Sequence, residues 1–114
     1  MRVENTIPIL NVTDLAASLR FYVEGLGFGV DWSVTAMASV SRDGCPIMLC
    51  EGGQGQPGTW VWIGCEDVRA FHARAVELGA EIRMPPTRQA WALETQIVDP
   101  DGHVLRFGSD PDEA

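Results

Sequence analysis

The chain has 114 residues, of which 46% are apolar and 21% charged, with polar and apolar positions mixed along its whole length. That length suits one small globular domain and excludes two independent cores, and the mixture excludes disordered and fibrous classes. Sixteen acidic against eight basic side chains give a net charge of -8 with no basic cluster, which argues against nucleic acid and anionic membranes and suits a cationic or neutral small ligand.

The elements are predicted in chain order from periodicity and punctuation. A strand is expected from Thr6 to Val12, then a helix from Asp14 to about Glu24 with Leu15, Leu19 and Tyr22 or Val23 at helical spacing. Thr13 or Asp14 supplies its N-cap, and Gly25 and Gly27 can end it. Strands follow near Gly29 to Trp32 and Ala36 to Ser41, and an Asp43-Gly44 turn leads into another apolar strand. The stretch GGQGQPG at 52–58 divides the chain. Beyond it come a strand from Thr59 to Gly64 and a helix from Asp67 to Leu78 carrying Val68, Phe71, Ala75 and Leu78 on one face, stopped by Gly79. Strands near Glu81 to Met84 and Leu93 to Val98 lead to a second hairpin turn at Asp101-Gly102 and a final apolar strand.

The two halves repeat one another. Laying Asp14 on Asp67 aligns DLAASLRFYVEGLGF with DVRAFHARAVELGAE, and RDGCPIML then falls on PDGHVLRF. Each half reads strand, helix, strand, strand, strand, too little to close a core alone. The predicted fold is therefore α+β: two tandem βαβββ modules, at about 5–51 and 58–108, in a single domain spanning 1–114. Their sheets are expected to form a curved, partly open mixed sheet with helices outside and concave faces lining a cleft.

Cys45, Cys50 and Cys65 are odd in number and lack CxxC spacing, so they read as reduced thiols acting as small apolar residues. No apolar run approaches the ~20 residues of a membrane span. The opening MRVENTIPIL lacks the basic start, long apolar stretch and cleavage site of a secretory signal, so a cytoplasmic location is expected.

Three stretches, NVTDLAASLRFYVEGLGF, CEDVRAFHARAVELGA and PPTRQAWALETQIVDPDGHVLRFG, resemble the signatures of the vicinal oxygen chelate superfamily, which contains glyoxalase I enzymes, extradiol dioxygenases and bleomycin-resistance proteins. The segments PPTRQAW and DPDGHVLRFG look most like the bleomycin-resistance branch. That resemblance implies a small, acidic, homodimeric drug-binding protein that sequesters its ligand, with clefts built from both chains.

Enzymes of the superfamily hold a divalent cation with His, Glu or Gln at four positions in the cleft. Carried onto this sequence, those positions hold Ile7 and Trp60, seven residues before Asp14 and Asp67, and Met48 and Arg106, four residues beyond Gly44 and Gly102. Such cations need oxygen or imidazole donors, a thioether is too soft, and a guanidinium offers no lone pair. No metal, cofactor or catalytic residue is therefore predicted. His72, on a helix, and His103, directly after a turn glycine, read as solvated or locally bonded side chains. Cys45 and His103 occupy matching positions in the halves but are too few ligands for a closed zinc site.

With those replacements the cleft becomes apolar and aromatic with one fixed cation. Trp60 and Trp62 alternate with Val61 and so share a strand face, where they either line the cleft or fill a core or a dimer seam; Trp32 and Trp91 can border the cleft but read more simply as core or seam residues. Glu94 can meet a ligand, pair with Arg106 or, with a pKa raised by burial, serve as a base, as can Glu51. Arg106 can alternatively anchor a ligand carboxylate or phosphate. Glu51, Glu66 and Asp31 would draw a cationic ligand if they rim the cleft. The predicted site is Ile7, Met48, Trp60, Trp62, Glu94 and Arg106. The function expected is metal-free binding or sequestration of an antibiotic-type, bleomycin-like small molecule, cationic or aromatic. The alternative from the same resemblance is a glyoxalase-like metal-dependent lyase, isomerase or dioxygenase. A regulatory ligand-binding module is a third reading, with little in the sequence to favour it.

Overall fold

Asp14 and Asp67 start the two helices as their spacing predicts. Each carboxylate accepts a hydrogen bond from the backbone N–H three residues on, Ala17 at 3.2 Å and Ala70 at 3.0 Å, satisfying a donor that the first helical turn leaves without a partner. The helices they cap are α1 (Leu15–Leu19) and α2 (Val68–Glu77). The structure is a computed structural model describing residues 1–111.

The first helix departs from the expected α-helix to Glu24. After Leu19 it widens into a π-helical stretch, Arg20–Gly25, and Leu26 N–H donates to the Phe21 carbonyl five residues back at 2.9 Å. Tyr22 is fully buried there and meets Phe21 and Phe28 edge-on, with ring centroids 5.2 Å and 5.9 Å away. Seating three rings in edge-to-face contact is what the wider turn achieves, at the expense of regular i to i−4 bonding.

The chain forms two compact units, Met1–Pro57 and the residues from Gly58 onward. In the first, β1 (Ile9–Val12), β2 (Gly29–Ser33), β3 (Met37–Arg42) and β4 (Cys45–Glu51) make a mixed sheet in the order β1-β4-β3-β2, with β1 and β4 parallel. In the second, β5 (Trp60–Gly64), β6 (Glu81–Arg88), β7 (Leu93–Val98) and β8 (Val104–Ser109) repeat the plan as β5-β8-β7-β6, with β5 and β8 parallel. The helix after the first strand of each module supplies the crossover that a parallel pairing requires. The repeat read from the sequence is thus a repeat of structure. In its frame the pairing of Ile9 with Met48 corresponds to that of Trp62 with Arg106.

Side chains alternate across each sheet. Leu10, Val12, Val40 and Leu49 are buried on one face of the first sheet, and Ile97, Leu105 and Phe107 on one face of the second. Phe107 stacks on Phe71 of α2, with centroids 4.4 Å apart, which identifies that face as the one the helix covers. Leu78, expected to share it, is more than a third exposed because α2 ends one residue earlier.

The two Asp-Gly sequences do different work. Asp43 and Gly44 take φ values of 52° and 79° between paired Arg42 and Cys45, forming the predicted two-residue hairpin turn. The second connection is longer, running from Val98 to Val104. The Asp99 carboxylate there accepts from the N–H groups of Asp101 and His103, both at 2.9 Å. Of the two states expected for His103, solvated or hydrogen-bonded nearby, the structure shows the second: the ring is fully buried and its Nδ1 accepts from Thr59 N–H at 3.0 Å. It joins the hairpin to the strand entering β5.

The segment at 52–58 is fastened to the first unit. Asn11 Nδ2 donates to the carbonyls of Gly52 at 2.6 Å and Gln54 at 3.1 Å, and a Cβ at Gly55 would stand 2.7 Å from the Ile9 carbonyl oxygen. All three cysteines are free thiols, as expected; Cys50 is buried and Cys65 half-buried, while Cys45 is exposed and so does not act as a small apolar residue of the core. Among the described residues, no helix is long and apolar enough to cross a membrane.

Candidate functional site

The face of the second sheet turned away from α2 carries Trp60 and Trp62 from β5, Arg106 and Gly108 from β8, and Glu94 and Gln96 from β7. Backbone register places Trp62 beside Arg106 and Arg106 beside Gln96, with Glu94 beside Gly108. Four of the six predicted residues thus stand together. Ile7 and Met48 belong to the first unit: Met48 is half-buried on β4 opposite Ile9, and Ile7 lies two residues before it, just outside β1.

Glu94 is the anchor of the second-sheet face. Its side chain is 1% exposed, and it receives a bidentate ion pair from Arg106, Nε to Oε2 at 2.7 Å and Nη2 to Oε1 at 3.1 Å. Gln96 Nε2 donates to Oε2 at 2.9 Å. The Arg106 hydrogen bonds outweigh burial and, with the Gln96 bond, hold the Glu94 carboxyl below its ordinary value, while Glu94 raises the guanidinium. A carboxylate so held is a poor proton acceptor, so of the three roles open to Glu94 the structure forms the ion pair with Arg106 and not the base with a raised pKa.

The indoles are fixed by the same residues. The Arg106 guanidinium lies 5.0 Å from the Trp62 ring centroid. A Cβ at Gly108 would come within 2.1 Å of the ring, so the ring lies across β8 only because position 108 has no side chain. Trp60 is held by a residue that the periodicity does not reveal: the Arg83 guanidinium is 4.7 Å from its ring centroid and donates to Gln96 Oε1. Both indoles remain about half exposed, at 51% and 47%, although stacked and ordered on one side.

Arg83 reaches this face through a β-bulge. Ile82 pairs with Ile97 and Met84 with Gln96, leaving Arg83 as the extra residue. The first sheet bulges at the corresponding place: Val30 pairs with Val40 and Trp32 with Ser39, and Asp31 is the extra residue. Its carboxylate accepts from Ser41 Oγ at 2.7 Å and Ser39 Oγ at 3.1 Å. Asp31 is thus engaged locally. Glu51 likewise accepts from Leu15 N–H at 2.8 Å and serves the start of α1, while Glu66 is exposed between β5 and α2. Trp32 and Trp91 are exposed, at 41% and 62%.

The donor set does not suit a divalent cation. Arg106 has its charge engaged with Glu94, Trp60 offers a ring, and Ile7 and Met48 offer hydrocarbon and thioether. Among the described residues no group of three or more His, Cys, Asp or Glu side chains could hold a metal ion. The arrangement can stack planar groups and hydrogen-bond them in their own plane.

The sequence model of the Glyoxalase/Bleomycin resistance protein/Dioxygenase superfamily matches residues 5–107. No curated protein matches the sequence. Among solved structures, the fold is similar to that of TnmS3, an antibiotic binding protein from Streptomyces sp. CB03234, with TM-score 0.86, 22% identity and coverage of 96% of this chain and 98% of that one. It is also similar to the bleomycin-binding protein of Streptomyces verticillus, solved with copper(II)-bleomycin, with TM-score 0.80, 22% identity and coverage of 96% and 98%. A bleomycin resistance determinant encoded on the transposon Tn5 gives TM-score 0.80, 22% identity and coverage of 95% and 98%.

Proposed function

Since this chain belongs to the Glyoxalase/Bleomycin resistance protein/Dioxygenase superfamily, we propose that it binds and sequesters an aromatic, antibiotic-type small molecule without metal and without transforming it. The observation that carries this reading is the pair of half-exposed indoles, each stacked on a guanidinium, on the sheet face where the superfamily's enzymes would keep metal ligands. Two neighbouring indoles left half in water form the kind of apolar surface that a ligand or a partner protomer covers. Covering one contributes on the order of 1 kcal/mol beyond its buried area. The antibiotic-binding relatives of the same fold support the reading. Ile7 and Met48 are assigned as apolar contacts, Trp60 and Trp62 as stacking surfaces, and Arg106 and Glu94 as the polar pair that sets their orientation. The protein acts as a homodimer in the cytoplasm, and capture is stoichiometric, so affinity replaces turnover.

The metal-dependent alternative needs oxygen or imidazole donors at the four positions, and none is present there. Titration with bleomycin-type glycopeptides and a panel of aromatic drugs, followed by tryptophan fluorescence and calorimetry, tests the proposal. Saturable quenching at one ligand per site is expected. Silence across the whole panel, or one transition metal per chain retained after dialysis, would refute it.

A further inference from the structure

The charge on this face differs from that of the whole chain. Glu94 is its central acid, and its oxygens are already taken by Arg106 and Gln96. Its charge is therefore not available to a cationic ligand. Glu81, the other acid whose register puts it on this face, stands opposite Val98 at the far end of β6 and pairs with neither guanidinium. Arg83 is exposed and engages only the Gln96 amide oxygen and the Trp60 ring among the described residues, while Arg106 uses Nε and Nη2 on Glu94 and keeps Nη1 open.

Resting on the binding function above, we propose that the ligand class of this face is a planar aromatic anion, a fused-ring carboxylate or phenolate, and that Arg83 is its specificity-determining residue. An aromatic ring laid against the indoles brings an acidic substituent within reach of a guanidinium that already lies over one of them. One molecule thus satisfies stacking and a charge-assisted hydrogen bond together. Gln96 makes the arrangement rigid. Buried, it accepts from Arg83 through Oε1 and donates to Glu94 through Nε2, so the two guanidiniums are set in position before any ligand arrives. The bulge in β6 is the device that aims Arg83, and its counterpart in the repeat aims an acid, Asp31, whose oxygens are satisfied by two serines. Only the second unit therefore offers an available cation at that position.

The test uses three probes of one size: naphthoate, its neutral isostere naphthamide, and the cation N-methylquinolinium. Calorimetry on the full chain is expected to rank naphthoate above naphthamide and at least about tenfold above the cation. Arg83→Gln is expected to abolish the preference for naphthoate over naphthamide, read as the ratio of the two affinities in the same variant, and Arg83→Lys to retain part of that ratio. Binding of the cation as tight as that of naphthoate, or an anion preference that survives Arg83→Gln, overturns this inference and leaves the aromatic site standing. Failure of all three probes overturns this inference, and the binding function falls with it only if the wider panel of glycopeptides and aromatic drugs is silent too.

Discussion

The ring of Trp62 occupies the space in which a side chain at position 108 would stand. A Cβ on Gly108 would lie 2.1 Å from Cη2 and 2.4 Å from Cζ2 of that indole. Position 108 is also the backbone partner of Glu94 across β7 and β8, so the glycine that seats the ring lies in register with the acid that pairs with Arg106.

Gly108→Ala is therefore expected to push Trp62 off β8 and away from Arg106, costing about 1–3 kcal/mol as an overpacking substitution. Urea unfolding should report the loss, and a red-shifted tryptophan emission the greater exposure. Unchanged emission would show that the ring does not lie where the structure places it.

The Glu94–Arg106 pair predicts an acid limit. Because Glu94 has its folded-state pKa lowered from 4.5, its contribution is fully present above that unfolded value and is lost as pH falls through the folded one. The unfolding midpoint is expected to drop with acidification below about pH 4.5. Glu94→Gln, measured beside the parent chain, should be less stable near neutrality and show a shallower decline across that range.

Asp99 closes the β7–β8 connection by accepting from two backbone N–H groups next to the buried His103. Asp99→Ala leaves those donors without their acceptor and is expected to cost about 1–3 kcal/mol. Amide exchange should accelerate at Asp101 and His103 first. Equal protection in parent and variant would contradict this role.

The capping aspartates give a paired comparison. Asp67→Ala is expected to cost about 1 kcal/mol. Asp14→Ala should cost less, because Glu51 also accepts from the first turn of α1, through Leu15 N–H. Chemical denaturation of the two variants would reveal the order, and a larger loss at Asp14 would show that Glu51 gives no backup.

Asn11 pins the connecting segment through two side-chain hydrogen bonds. Asn11→Ala should make the 52–58 segment a preferred site of limited proteolysis while leaving the second unit's exchange protection unchanged. Cleavage at an unaltered rate would show that the Gly55 contact with β1 suffices.

Much of this molecule is legible without coordinates, because the signals are local. An aspartate before an apolar-periodic run caps a helix whatever surrounds it, as Asp14 and Asp67 do, and Asp43-Gly44 adopts the left-handed pair that a two-residue hairpin needs. The duplication of those signals gave the two modules, and alternation alone put Trp60 and Trp62 on one face. Tertiary structure decided what each face holds. The bulge in β6 turned Arg83 toward Gln96, packing around Tyr22 widened the end of the first helix, and burial against Thr59 converted His103 from a turn residue into a joint. Glu94 needed Arg106, twelve residues away on the neighbouring strand, before its charge had a meaning. Caps and turns are satisfied within a few residues of themselves and are written there. A bulge, a stacked ring and a buried ion pair are settled only when distant strands compete for the same space and the same hydrogen bonds.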